Sequence, residues 1–287
     1  MLVKPHGLFS KALAGGWSLG AFNFSNLELA QAVVGAAVKL KAPVILQTSE
    51  GAIEYGGLKV LAAIGKQLAA EAEVPVILHL DHGKSLGKAK ECIDAGYTSV
   101  MIDASKEPLE DNIRIVKEVV DYAHARGVWV EAELGAILGY EGAKGLVGKG
   151  TPDEFLTDPK QAARFVEETG ADALAVSVGT IHGAFTGQEY IRFELLEELQ
   201  KAVPALPLVL HGASGISDAH LRKAAKENVC KVNIDTELRI AFERAVRAYF
   251  NEQHDKVDPR DILGPAREAV QVTVEEKIKL FGSNDKA

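Results

Sequence analysis

The sequence predicts an α/β protein of the (β/α)8 TIM-barrel class with a helical extension at its carboxyl end. Three observations carry this. Short β-branched runs alternate with helical patterns through most of the chain; there are eight of them in 287 residues; and the chemically capable side chains cluster just where the runs end. An open doubly wound sheet is disfavoured, because Asn23-Phe24-Ser25-Asn26 stands where a G-x-G-x-x-G would follow the first run.

The candidate strands are 19–24, 44–49, 76–80, 99–103, 128–134, 173–178, 208–211 and 231–234. Helical patterns occupy 27–40, 58–72, 87–95, 109–125, 159–169, 193–202 and 218–227 between them, and 236–251 after the last. Gly96, Gly127 and Gly170 each close a helical pattern before a strand, as left-handed caps do, while Pro43, Pro75 and Pro207 stop the chain from running helically into the next strand. One domain spanning 1–287 is expected. Two segments exceed a minimal barrel: a glycine-rich loop at about 136–157, expected to be mobile, and a helical tail at about 253–287.

Composition narrows the partners. Forty acidic against 32 basic residues give a net charge of −8 with no Lys/Arg-rich block, so neither nucleic acid nor an anionic membrane is expected as a partner. No apolar run approaches a membrane span, the first ten residues do not resemble a signal peptide, and the two cysteines (Cys92 and Cys230) show no zinc or redox spacing. A cytoplasmic protein is expected.

The third run ends in His79-Leu80-Asp81-His82-Gly83, which brings an acid and an imidazole to one rim of the sheet. Alone, these residues would read as a helix cap and a loop histidine. The pattern recurs, however, at His182-Gly183 and His211-Gly212, each also following a β-type run, and three such histidines suit a metal site. Asp103 ends the fourth run, and Glu131 and Glu133 share a face of the fifth. Asp103 and Glu133 read as metal ligands or their supports; Glu131 fits equally a buried ion pair. Gly212-Ala213-Ser214-Gly215 and Asn233-Ile234-Asp235-Thr236 follow the seventh and eighth runs, where barrels commonly cradle a phosphate. No lysine stands at a strand's carboxyl end, and Lys231 lies toward the other end of its run, which counts against Schiff-base chemistry.

With these residues in hand, the chain resembles the class II, metal-dependent fructose-bisphosphate aldolases and their relatives that cleave tagatose bisphosphate. The likeness runs through Ala21-Phe22-Asn23, Ser49-Glu50-Gly51, His79 to Gly83, Ser99 to Asp103, Glu131 to Gly135, Gly179 to Gly183, His211 to Ser214, Asn233 to Thr236 and Leu263-Gly264-Pro265-Ala266. The resemblance implies reversible cleavage of fructose 1,6-bisphosphate to dihydroxyacetone phosphate and glyceraldehyde 3-phosphate. It implies that His82, His182 and His211 hold a catalytic Zn2+, with Co2+ or Fe2+ as alternatives, and that Asp103 and Glu133 serve a second metal position. Asp81 is implied as the acid/base at the C4 hydroxyl, and Glu141, on the long loop, as the carboxylate that moves the C1 proton.

For substrate binding, the resemblance implies Asn23, Ser49, Gly183, Gly212, Ala213, Ser214, Asn233, Ile234, Asp235 and Thr236, assisted by a monovalent cation, Na+ or K+. Asp235 favours the fructose substrate, because tagatose-type members tend to carry Ala there. Arg260 is similar to an arginine that reaches a neighbouring subunit's site, implying a homodimer or homotetramer. Two departures stand out: Ala213 where many relatives have Gly, and Tyr140 where some have an extra acid. A zinc hydrolase on the same fold, or a sugar-phosphate binding protein without turnover, are the competing function classes.

Overall fold

The structure is a computed structural model that describes residues 1–137, 153–181, 191–252 and 257–287. Helix α1 (His6–Gly15) precedes β1 (Leu19–Asn23), α2 (Leu27–Lys39) and β2 (Val44–Ser49). Helices α3 (Glu50–Gly56) and α4 (Leu58–Glu71) lead to β3 (Val76–Gly83), α5 (Leu86–Ala95), β4 (Ser99–Ile102), α6 (Leu109–His124) and β5 (Trp129–Leu134). A 3-10 turn at Asp153–Phe155 then leads into α7 (Pro159–Thr169), β6 (Ala173–Val176), α8 (Phe193–Ala202), β7 (Leu208–Leu210), α9 (Asp218–Ala225), β8 (Val229–Ile234), α10 (Thr236–Glu252) and α11 (Pro259–Phe281). The strands form a closed parallel barrel in chain order, β8 pairing back to β1 through Leu19 with Lys231 and Ala21 with Asn233. The expected barrel is therefore the one that forms, and among the described residues no helix is long and apolar enough to cross a membrane.

Alternation along the strands sorts the side chains into two cores. Val44, Leu46, Val76, Leu78, Val130, Ala132, Leu208 and Leu210 point outward and pack under the helices. Helix α6 shows how such a helix is held: Ile113, Val116, Val120 and Ala123 recur at helical spacing and are buried, each Val worth about 1.5–3 kcal/mol on burial. The alternate positions Ile45, Ile77, Trp129 and Val209 point inward and fill the amino-terminal half of the barrel, plugged from below by Leu8, Phe9 and Ala12 of α1. Further along the same inward faces the residues become polar: Gln47 and Ser49 on β2, His79 and Asp81 on β3, Glu131 and Glu133 on β5. An apolar floor thus supports a polar rim.

Two differences from the expected elements matter for the site. Helices α1 and α3 were not anticipated; α3 is only seven residues long and begins where the Ser49 Oγ accepts from the Ala52 N–H at 3.3 Å. The third strand does not stop at Leu80 but continues to Gly83, with a register shift against β4 between Leu80 and Gly83. His82 takes φ +48° within this irregularity, a left-handed conformation uncommon for a residue with a Cβ. The carboxyl tail is chiefly the 23-residue α11, which Pro259 and the Asp258 cap initiate and which packs against α2. It is closed down at its far end by Asp285 N–H to Leu40 O and Ala287 N–H to Lys41 O.

Candidate metal and substrate site

At the carboxyl rim, Asp81, His82 and His211 bring ligand-type atoms within 4.8 Å of one another, and His82, Asp103 and Glu133 do the same. The His82 Nε2 and His211 Nδ1 lie 2.8 Å apart. The other nitrogen of each ring faces a carboxylate: His211 Nε2 lies 2.8 Å from Glu131 Oε1, and His82 Nδ1 3.1 Å from Asp103 Oδ2. The network therefore assigns the protons to the carboxylate-facing nitrogens, which leaves the two facing nitrogens as lone-pair donors. Two such nitrogens turned on each other beside an ionised carboxylate suit a shared cation, and the imidazole-plus-carboxylate set fits a divalent transition metal.

Asp81 is buried and doubly held. Its Oδ2 accepts from Asn23 Nδ2 at 2.8 Å and its Oδ1 from Asn233 Nδ2 at 2.9 Å, while Gln47 Nε2 donates to Asn23 Oδ1 at 2.7 Å and so fixes that amide. Burial pushes the Asp81 carboxyl up, but the His82 and His211 imidazoles, the Lys231 ammonium and the Asn23 hydrogen bond outweigh it and bring it down to about 2. Asp103 behaves alike: burial opposes ionisation, yet His82 and Ser105, whose Oγ donates at 2.7 Å, hold its carboxyl well below the usual range. Glu133 is pushed the other way, to about 8, by burial and by the Asp103 charge, and its buried Oε2 has no hydrogen-bond partner among the described residues. An orphaned buried carboxylate oxygen beside His82 is what a second cation position would occupy.

The rim opens into a cleft of about 740 Å³ whose lining includes Ser49, His82, Asp103, Glu133, Lys84 and Arg239. A second cavity of about 290 Å³ joins the loops after β7 and β8, where Ser214 and Thr236 line one wall and Lys277, paired with Glu237 at 2.7 Å, another. The turn into this cavity depends on Gly212: φ is +63°, and a Cβ there would come within 2.6 Å of the Ile181 backbone. Ala213 and Ser214 are buried, and Ile234 faces outward into the core under the helices. Asp235 precedes α10, with Oδ2 2.6 Å from Arg239 Nη2. Burial raises its carboxyl to about 6, Arg239 opposing and the Asp81 charge reinforcing the rise.

His182, Gly183, Glu141 and Tyr140 lie outside the described residues. Where the long loop leaves and rejoins the barrel it is tied down, Ala136 N–H donating to Phe155 O at 2.8 Å and Thr157 N–H to Ser177 O at 3.0 Å. Arg260 is not among the cleft-lining residues; its side chain is 90% exposed and pairs with Asp258 of its own chain. Gln47 and Arg239 were missed by sequence reasoning, and Glu131 was left undecided. Lys231, set aside as lying at the far end of its strand, is wholly buried and bonded to Glu131 at 2.7 Å. Its spacing was the available signal: two residues before Asn233 on one strand, it had to share the interior face.

Comparison with known proteins agrees with this geometry. Residues 3–286 match the family model described as fructose-bisphosphate aldolase class-II. The chain is 44% identical over 289 residues to the fructose-bisphosphate aldolase of Geobacillus stearothermophilus, covering 100% of this chain and 99% of that one. It is also 44% identical over 310 residues to the fructose-bisphosphate aldolase of Thermus caldophilus, covering 100% of both. The crystal structure of the YdjI aldolase from Escherichia coli K12 superposes with a TM-score of 0.86 at 36% identity, over 100% of both chains. The chain belongs to the class II fructose-bisphosphate aldolase family.

Proposed function

We propose that the chain reversibly cleaves fructose 1,6-bisphosphate to dihydroxyacetone phosphate and glyceraldehyde 3-phosphate, as a cytoplasmic enzyme. The observation that carries this reading is the facing pair His82 Nε2 and His211 Nδ1, each ring anchored to a carboxylate, with Asp81 beside them. His82, His211 and, from outside the described residues, His182 would hold Zn2+, with Co2+ or Fe2+ as substitutes; Asp103 and Glu133 would hold a second position. The metal would supply Lewis-acid stabilisation of the negative charge that develops as the C3–C4 bond breaks.

Asp81 accepts the C4 hydroxyl proton in cleavage and returns it in synthesis; its low pKa keeps it ionised and ready at neutral pH, and Asn23 and Asn233 aim it. The phosphate of the dihydroxyacetone half sits against the 212–214 turn, Gly183 and the amino end of α10 at Asn233–Thr236, with a Na+ or K+ ion assisting. Ser49 contacts the aldehyde half from the cleft wall. Glu141, outside the described residues, moves the C1 proton. Arg260, exposed at the start of α11, serves the site of a neighbouring copy in a homodimer or homotetramer. Asp235 reads the C4 configuration, since only the matching epimer presents its hydroxyl to this carboxylate.

A coupled cleavage assay with fructose and tagatose 1,6-bisphosphates, before and after EDTA treatment and zinc restoration, tests this. Cleavage of the fructose substrate, abolished by EDTA and restored by zinc, is expected. A tagatose preference would overturn the role of Asp235, and metal-independent cleavage the mechanism.

A further inference from the structure

The barrel interior beneath His211 is charged where the layer below it is apolar. Lys231 and Glu131, both inaccessible to solvent, pair through Nζ and Oε2 at 2.7 Å, and the other Glu131 oxygen takes the His211 Nε2 hydrogen bond at 2.8 Å. Lys231 Nζ also lies 3.4 Å from His79 Nε2, and His79 Nδ1 lies 2.7 Å from Ser99 Oγ. Lys231 comes from β8, Glu131 from β5, His211 from just beyond β7, His79 from β3 and Ser99 from β4, so the network crosses the barrel.

Packing alone does not ask for such a pair. Desolvation offsets most of the attraction between two buried ions, and apolar residues of similar volume commonly serve as well or better. One step toward the amino end, Ile77 and Trp129 on the same two strands as His79 and Glu131 show what this interior accepts. What the pair provides, and an apolar filling would not, is an acceptor oxygen held rigidly against His211 Nε2. That contact keeps the proton on Nε2, fixes the ring, and turns Nδ1 toward His82.

We propose that Lys231 is a positioning residue for the metal site: it locks the Glu131 carboxylate, which in turn sets the ring orientation and tautomer of His211. This rests on the reading of His82 and His211 as metal ligands. Lys231 reaches His211 through Glu131, whose two oxygens bond one to each.

The test uses metal-stripped full-length protein in four forms: wild type, Lys231→Met, the double variant Glu131→Gln/Lys231→Met, and His211→Ala. Zinc affinity is read by competition with a chromophoric chelator, coordination geometry by the visible spectrum of the Co2+ form, and folding by thermal melting of the metal-free protein. Folded Lys231→Met is expected to bind zinc about 10–100-fold more weakly than wild type, with an altered Co2+ spectrum, the size of effect typical of a lost partner behind a ligand. The double variant removes both charges, so it leaves no ion unpaired if the single variant does not fold; the same weakening and spectral change are expected of it. Zinc affinity within twofold of wild type and an unchanged Co2+ spectrum in either folded variant would overturn the proposal. Wild type that fails to bind zinc, or His211→Ala that binds it normally, would instead overturn the ligand reading and the proposal with it.

Discussion

His82 Nε2 and His211 Nδ1 stop 2.8 Å apart, although 129 residues separate them in sequence, and the carboxylate behind each ring assigns its proton to the other nitrogen. Each ring is held from behind, by Asp103 and Glu131 respectively, so neither can turn away without breaking a bond to a carboxylate. The repulsion between the two lone pairs is relieved when a cation sits between them.

Removing one of these rings should therefore remove the metal. His211→Ala is expected to lose bound zinc, measured by elemental analysis after desalting, and to lose more activity than the 10–100-fold typical of a missing partner behind a ligand. Retention of stoichiometric zinc by this variant would refute the assignment.

Asp81→Asn should separate chemistry from binding. The amide is nearly isosteric and cannot take a proton, while His82 and His211 remain to hold the metal. Turnover is expected to fall about 10²–10⁴-fold, the usual contribution of a general base, with zinc content close to that of wild type. Near-normal turnover would exclude Asp81 as the base.

How far the sequence foretells this site follows from where its information lies. Alternation on β3 and β5 reveals that Asp81 shares a face with His79, and Glu133 with Glu131, because a strand's period is local. The barrel itself is legible because eight βα units leave little choice of topology. The His82 kink was not legible: it depends on the register shift between β3 and β4, a relation between strands. The pairing of Lys231 with Glu131 was missed for the same reason, since the partners are 100 residues apart. Helix α1 escaped notice because its role, plugging the barrel floor with Leu8 and Phe9, appears only once the barrel has closed.

Gly212 offers a test of the backbone around the phosphate turn. Its φ of +63° strains any residue with a Cβ, and that Cβ would lie within 2.6 Å of the Ile181 backbone, immediately before His182. Gly212→Ala should cost about 1–3 kcal/mol for the strained conformation alone, with the clash added, and should raise KM for fructose 1,6-bisphosphate. A variant that melts like wild type with unaltered KM would show that the turn tolerates a side chain.

Asp235 yields a prediction with a definite sign in pH. Its folded-state pKa of about 6 stands above the ordinary 3.8, so between these values the folded protein binds more protons than the unfolded chain. Stability from this group is therefore present at low pH and lost as pH rises from about 4 through about 6, amounting to about 3 kcal/mol at neutral pH on the ordinary conversion of a pKa shift. Asp235→Asn removes the ionisation while keeping the shape, at the expense of the Arg239 ion pair. The variant's melting temperature should lie near that of wild type at pH 4 and above it at pH 7.5, the gap opening between. Tagatose and fructose bisphosphates should be discriminated less well by the same variant, because an amide can donate as well as accept and so tolerates either hydroxyl orientation. A gap that is constant with pH, or that closes as pH rises, would mean that the Arg239 pair outweighs the burial of Asp235.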